Sequence, residues 1–407
     1  MPSLLSFNVD RPLSVRTLAS AVGVTAPISL REIMTRLGDP RRPFYLIAHR
    51  CNDLEEVQAM ISAGANAIEC DIQFTDAQRD VGSVEFVVNH DFAHRPDRDS
   101  LIPYLQGVVE ILKKNPQVAL WLFDLKDDNP SDAVRLRNVI RKHLTDHVPI
   151  NVLISQASFD SRGFFVPIKS GMRPREGYAI DQHNHPDSVS DFFVSNGVAR
   201  HGYGNGIFVA GGGEHVPSSV MEAVALKWSE RKIRFVYVWT LGAKAAMRDY
   251  IALGVDGIFV NDVPALKEVL GESAIKQRVS LASRARDPFA LPPYLPAYVL
   301  TIDTADAGGA GTDADLTFEL HGSAGVAKTT IDTSPPFMFE AGNTDRLALI
   351  GTNVGTIQKL VIVNHGGFAA AWTVGTIKVQ QSKTGQVTTF NFSQEIASGA
   401  TASRTPA

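Results

Sequence analysis

Long apolar runs are missing from this sequence. None reaches the roughly 18 residues that a bilayer-crossing helix needs, so no transmembrane segment is expected. Blocks of lysine or arginine are missing as well. With a net charge of −4 and a pI near 6.3, the chain has no basic footprint for a nucleic-acid backbone. Cysteine is scarce: Cys51 and Cys70 are the only two, each in or beside an apolar stretch. That placement reads as buried structural thiols and argues against a disulfide framework. The opening "MPSLLSFNVDRPLSVRTLASAVGV" lacks a basic segment followed by a continuous apolar stretch and a small-residue cleavage site, so no signal peptide is expected in it.

What is present suits a large globular protein. The 407 residues are 44% apolar and 20% charged, enough for two or three domains, or one large domain and one ordinary one. From about residue 45 to 270, short β-rich runs alternate with helical patterns: "YLIAHR", "AIECDIQF", "VALWLFDLK", "NVLISQA", "GYAIDQ", "GIFVAG", "FVYVWT" and "GIFVN". Between them, "DLEEVQAMISAG", "DSVSDFFVSNG" and "AKAAMRDYIALG" are amphipathic, the last stopped by Gly254. Eight strand–helix units predict an α/β fold, a (β/α)₈ TIM barrel, with "VEFVVNHD" as an extra strand or hairpin beside the second unit. After Phe289 the texture changes to a proline-rich "ALPPYLPA" and then Thr-, Gly- and Val-rich alternating runs, which predict an all-β sandwich domain. The expected division is residues 1–43 packing on the barrel, with a helix in "SLREIMTRLG", then the barrel and its closing tail over 44–289. A linker over 290–296, a sandwich over 297–393 and a frayed tail over 394–407 follow.

Side chains at the C-terminal ends of barrel strands share one mouth, so chemistry is assembled there from residues far apart in sequence. The strand ends here collect a coherent set: His49, then Glu69 and Asp71 two apart on one face, His90, then Asp124 and Lys126, again two apart. Tyr237 and Trp239 share a face in "YVWT", and Asn261 ends the last strand. Three carboxylates in one mouth repel unless a cation holds them, and oxygen ligands suit Mg²⁺ better than Zn²⁺. With Glu69, Asp71 and Asp124 on the metal, His49 and His90 are free for general base and general acid work on a phosphodiester, and Lys126 faces the growing phosphate charge.

Each residue also has a plainer reading. A strand-end histidine is often a hydrogen-bonded structural residue, Asp124 and Lys126 make a ready ion pair, and Tyr237 and Trp239 are ordinary core residues. Asn261 in "NDVPAL" is well placed to cap a helix. His183 and His185 in "DQHNHPD" stand in a polar loop with no cysteine or carboxylate at ligand spacing, which argues against a second metal site. The joint set is what points to an active site.

Those residues resemble the glycerophosphodiester phosphodiesterase superfamily and, within it, the sphingomyelinase D or venom-type phospholipase D branch. "HRCND" running straight into a helix, "IECDI", "FDLK", "VYVWT", "GVDGIFVN" and the closing "RVSLASRARDPF" carry the resemblance over residues 44 to 289. It implies His49 and His90 as the catalytic pair and Glu69, Asp71 and Asp124 as Mg²⁺ ligands. Lys126, Tyr237, Trp239 and Asn261 then line the phosphate and headgroup pocket. It further implies removal of the headgroup of sphingomyelin or a lysophospholipid at a membrane surface to leave a cyclic phosphate, and secreted or membrane-peripheral action. Two departures stand out: Gly242 occupies a position where the branch commonly has an acid, and the cysteine pairs of venom enzymes are absent.

Residues 297 to about 393 resemble a PLAT (LH2) domain, through "YVLTIDTADAGGAGTDADLTFELHG" and "FEAGNTDRLALIGTNVGTIQKLVIVNHGGFAAAWTVGTIKVQQ". Such domains sit on lipid surfaces or partner proteins, some with Ca²⁺ in loops at positions like Asp306 and Asp313; the alternative for these acids is turn formation. Trp372 reads as core. Two rivals to a lipid-docked phospholipase D remain open at this stage. One is a soluble glycerophosphodiester phosphodiesterase acting on deacylated lipids, against which a docking domain argues. The other is a catalytically weak barrel that binds a lipid or a partner, with Gly242 as its mark.

Overall fold

The computed structural model describes residues 41–75, 85–90, 100–182, 184–206, 208–210, 213–215, 218–230, 232–290, 297–331, 338–367 and 369–407. The expected N-terminal helix, the linker from 291 and His183 lie outside them. The chain divides into two units, one over 43–251 and 255–291, the other containing 292–407.

The first unit carries β1 (Arg42–Ala48), β2 (Ala67–Thr75), β3 (Glu85–Val88), β4 (Leu120–Leu125), β5 (Asn151–Gln156), β6 (Glu176–Ile180) and β7 (His201–Gly206). They are followed by β8 (Phe208–Ala210), β9 (Gly213–His215), β10 (Phe235–Trp239), β11 (Gly257–Val260) and β12 (Val279–Leu281). Strands β1, β2, β4, β5, β6, β7, β10 and β11 pair in parallel in that order, and β1 meets both β2 and β11, so the sheet closes on itself. This is the eight-stranded barrel that the alternating runs predict. β3 pairs antiparallel with β2, which is the expected hairpin arm.

One predicted strand is misplaced. "GIFVAG" does not enter the barrel: its Phe208–Ala210 pairs with Gly213–His215 as a separate two-stranded ribbon. The barrel strand is the preceding "HGYGNG", which pairs with β6 and β10. Glycine is a poor strand former, so periodicity passes over this stretch. Its glycines are there for space: a Cβ at Gly204 would stand 2.3 Å from the Tyr237 ring and one at Gly206 2.4 Å from the Trp239 ring. β7 is bare where β10 is bulky.

Helices α1 (Leu54–Ala63), α2 (Leu101–Lys114), α3 (Ala133–Ile140), α4 (Pro186–Ser195), α5 (Ser218–Ser229), α6 (Lys244–Leu253) and α7 (Val263–Gly271) accompany the barrel strands. α1 shows why: the Asp53 side chain accepts from Glu56 N, Glu55 and Glu56 sit in the first turn, and Gly64 at φ 123° ends it. The barrel interior is filled by Tyr45, Ile47, Leu120, Leu122, Leu153, Phe235 and Phe259, with Phe289 of the closing tail among them. A Cβ at Gly177 would overlap the Phe289 ring at 1.9 Å, so a glycine on β6 admits that plug.

The second unit has β13 (Ala297–Thr304), β14 (Leu316–Gly322), β15 (Gly325–Ile331), β16 (Thr344–Ile350), β17 (Ile357–Asn364), β18 (Trp372–Gln381), β19 (Val387–Ile396) and β20 (Thr401–Arg404). They form two antiparallel four-stranded sheets, ordered β16-β13-β18-β19 and β15-β14-β17-β20. Trp372 is fully buried, as read. The tail expected to fray from 394 does not: β19 runs to Ile396 and Thr401–Arg404 pairs with β17. Polar composition hid an edge strand whose backbone is satisfied by its neighbour.

Candidate active site

Strand register brings the acids together. Asp71 on β2 and Asp124 on β4 are direct Cα partners, and Glu69 lies two residues before Asp71 on the same face. One carboxylate oxygen from each of the three lies within 4.8 Å of the others. Glu69 is 1% exposed and Asp71 fully buried. Their outer oxygens are well held: Arg50 N donates to Glu69 Oε2 at 2.7 Å and Asn52 Nδ2 to Asp71 Oδ2 at 2.8 Å, while Asn52 Oδ1 accepts from Asp71 N. Glu69 Oε1 and Asp124 Oδ1, by contrast, are buried with no hydrogen-bond partner, and Asp71 Oδ1 has only the charge of Lys126 Nζ at 2.9 Å, without hydrogen-bond geometry.

The electrostatics follow from that crowding. Burial first, then the charges of Asp71 and Asp124, push Glu69 well above the usual carboxylate range. Burial likewise raises Asp124, with the neighbouring Lys126 ammonium opposing it. Lys126 loses from burial but is held above the ordinary lysine value by Asp124 and Asp71. Two buried carboxylates and a half-buried one share a single ammonium, and the oxygens they bring together, which lack hydrogen-bond partners, fit a hard divalent cation held by oxygen ligands.

His49 follows β1, and its Nδ1 donates to Asn261 Oδ1 at 2.9 Å, which leaves Nε2 with its lone pair. Burial holds its pKa below the ordinary histidine value, against the Asn261 hydrogen bond, with the Arg50 charge adding to the lowering. Asn261 is therefore a partner of His49 and does not cap α7; Asp262 does that, accepting from Ala265 N. Arg50, in a left-handed conformation at φ 54°, turns its guanidinium to His90, with Nη2 2.5 Å from Nε2. His90 itself is fixed through its backbone, whose carbonyl accepts from Gln73 Nε2.

Across the barrel, Asp181 organises a third group. It follows β6 and accepts from Tyr237 OH and, at 2.9 Å, from Ser155 Oγ through Oδ1, and from Trp239 Nε1 at 3.1 Å through Oδ2. Burial first, then the Asp124 charge, raises Asp181 to about 7. Tyr237 is 0% exposed, so it does not line the pocket as expected but supports it from beneath; Trp239 is half-buried and keeps an accessible face.

Sequence reasoning brought His49, Glu69, Asp71, His90, Asp124, Lys126, Trp239 and Asn261 to this mouth. It missed Arg50, Asn52, Ser155 and Asp181. Asp181 was findable by the strand-end rule, since it closes "GYAID"; Arg50 was overshadowed by the histidine before it. His185 immediately precedes α4. In the sandwich, Asp306 is exposed and Asp313 half-buried, and among the described residues the one three-ligand group is that of Glu69, Asp71 and Asp124 in the barrel.

Residues 39–289 match the family model described as Dermonecrotic toxin SPH, and residues 298–404 match the PLAT/LH2 domain. A dermonecrotic toxin of Loxosceles apachea is 27% identical over 273 residues, 60% of this chain and 98% of that protein. Dermonecrotic toxin SPH of Ixodes scapularis is 23% identical over 297 residues, 66% of this chain and 81% of its own. A glycerophosphodiester phosphodiesterase structure from Parabacteroides distasonis covers 57% of this chain and 99% of its own, at 15% identity and a TM-score of 0.41. The chain belongs to the dermonecrotic toxin SPH family, phosphodiesterases of the sphingomyelinase D type, and carries a PLAT domain after its barrel.

Proposed function

We propose that the barrel is a Mg²⁺-dependent phospholipase D that removes the headgroup of sphingomyelin or a lysophospholipid and leaves a cyclic phosphate. The observation that carries this reading is the carboxylate cluster: Glu69, Asp71 and Asp124, each with one buried oxygen that accepts no hydrogen bond, beside Lys126 and two histidines. Those three carboxylates hold the ion, which when bound supplies a Lewis acid for the phosphoryl oxygens.

The chain's own groups do the rest. His49, kept neutral by burial with its Nδ1–H on Asn261, accepts at Nε2 the proton of the lipid hydroxyl as that oxygen bonds to phosphorus. Arg50 and Lys126 place positive charge against the non-bridging oxygens. A phosphodiester that takes the Arg50 guanidinium frees the Nε2 lone pair of His90, which takes up a proton from solvent and hands it to the departing alcohol as its bond to phosphorus breaks. The Trp239 face, held by Asp181, receives a quaternary ammonium headgroup. The PLAT domain keeps the chain at a lipid interface, and action on lipids outside the producing cell fits relatives named as toxins.

The reading is tested by choline release from sphingomyelin after chelation and Mg²⁺ replenishment. Release that disappears with chelator, returns with Mg²⁺, and stays absent in Asp124→Asn supports it. Release indifferent to chelation removes the metal from the account.

A further inference from the structure

Outside the active site, the flank of the barrel between α2 and α3 carries a groove of about 510 Å³. Ile102, Val134 and Val139 supply its apolar part, Arg135, Lys142 and His143 its ionisable part, and no acid lines it. In a chain of net charge −4, that is a local reversal of sign. Ile102 and Val134 are each 39% exposed and line the same groove. Arg135 stands over the Phe86 ring at 5.5 Å, which holds the guanidinium in place. Lys142 and His143 sit on a π-helical turn, Arg141–Thr145, that continues α3. Such turns are rare and recur at functional positions. Among the described residues neither Arg135 nor Lys142 has a carboxylate within ion-pair distance.

We propose that this groove is a second lipid contact, one that takes anionic phospholipids of the membrane surface and is separate from the substrate pocket. Helices that follow barrel strands begin at the catalytic end. Ile102 opens α2 after the His90 segment, and Val134 and Arg135 open α3 after the Lys126 segment, so one end of the groove borders the catalytic face. A surface that offers exposed aliphatic and cationic side chains on a helical flank matches an amphiphile with an anionic head better than an acidic peptide.

The test is co-sedimentation of the full chain with vesicles of phosphatidylcholine alone or with added phosphatidylglycerol, at low and high salt. Wild type is expected to prefer the anionic vesicles, and the preference to shrink as salt rises. Arg135→Gln with Lys142→Gln should bind those vesicles about tenfold more weakly or worse, with an unchanged melting temperature and unchanged turnover of micellar substrate. Equal binding of both vesicle types by wild type overturns the proposal. So does undiminished anionic binding by the double variant, which would leave the groove to a protein partner. Because binding is read without catalysis, an inactive enzyme would not disturb the result.

Discussion

Asp71 and Asp124 are Cα partners on adjacent strands, and one ammonium serves both: Lys126 Nζ lies 2.9 Å from Asp71 Oδ1 and 2.5 Å from Asp124 Oδ2. Glu69 makes a third carboxylate within 4.8 Å of these two. The site is therefore short of positive charge, and its stability is tied to what fills it.

Mg²⁺ should raise the melting temperature of the wild-type protein, by the equivalent of about 2.7 kcal/mol at a hundredfold excess over Kd. Glu69→Gln should raise the melting temperature of the chelated protein, because it removes a buried, repelled charge. The same variant should lose most of the Mg²⁺-induced increase. Calorimetry with and without chelator reads both effects.

His49→Ala and His90→Ala should each lower kcat by at least about 10²-fold. Neither side chain is among the three carboxylates, so the Mg²⁺-induced rise in melting temperature should survive in both variants. A loss of that rise would recast the histidines as ligands.

Asp181→Asn should act on headgroup recognition. Its carboxylate holds Trp239 and Tyr237 together, so the variant should raise KM for choline-bearing substrate by about tenfold, the cost of about one weakened charged hydrogen bond. Gly206→Ala, whose Cβ would stand 2.4 Å from the Trp239 ring, should shift KM in the same direction. Steady-state kinetics separates this from the kcat effects of the histidines.

His201 gives a pH signature away from the site. It is 1% exposed, stacked on Phe193, with Nδ1 donating to Val198 O and Nε2 near Ser190 Oγ. Burial, opposed by the Val198 hydrogen bond, takes it to about 4 from the ordinary 6.5. The unfolded state therefore binds the proton more readily. The contribution is complete above about pH 6.5 and is lost as pH falls toward 4, a span of at most about 3 kcal/mol. Urea unfolding at pH 7 and pH 4.5 should show a smaller difference in His201→Phe than in wild type.

The barrel was legible because most of its strands are apolar runs that end in polar residues, and the same strand-end rule collected His49, Glu69, Asp71, His90, Asp124 and Lys126. It failed at β7, where glycines clear space for Tyr237 and Trp239; that need exists only once β10 is placed beside β7. Asp181 ends a strand run as the others do, so its position was legible, but its role was not, since its partners Ser155, Tyr237 and Trp239 come from β5 and β10. Asn261 shows how a local signal misleads: the cap position looked available, yet Asp262 takes it and Asn261 turns to His49. In the sandwich, β20 was hidden because an edge strand paired on one side can be mostly polar, with Ala402 its one buried apolar side chain.

The most direct measurement is phosphorus NMR of the Mg²⁺-loaded protein with sphingomyelin, lysophosphatidylcholine and glycerophosphocholine side by side, each with a chelated control. The account predicts a Mg²⁺-dependent cyclic phosphate from at least one of the two lipids. Turnover of glycerophosphocholine alone, or no turnover of any of the three, would contradict it.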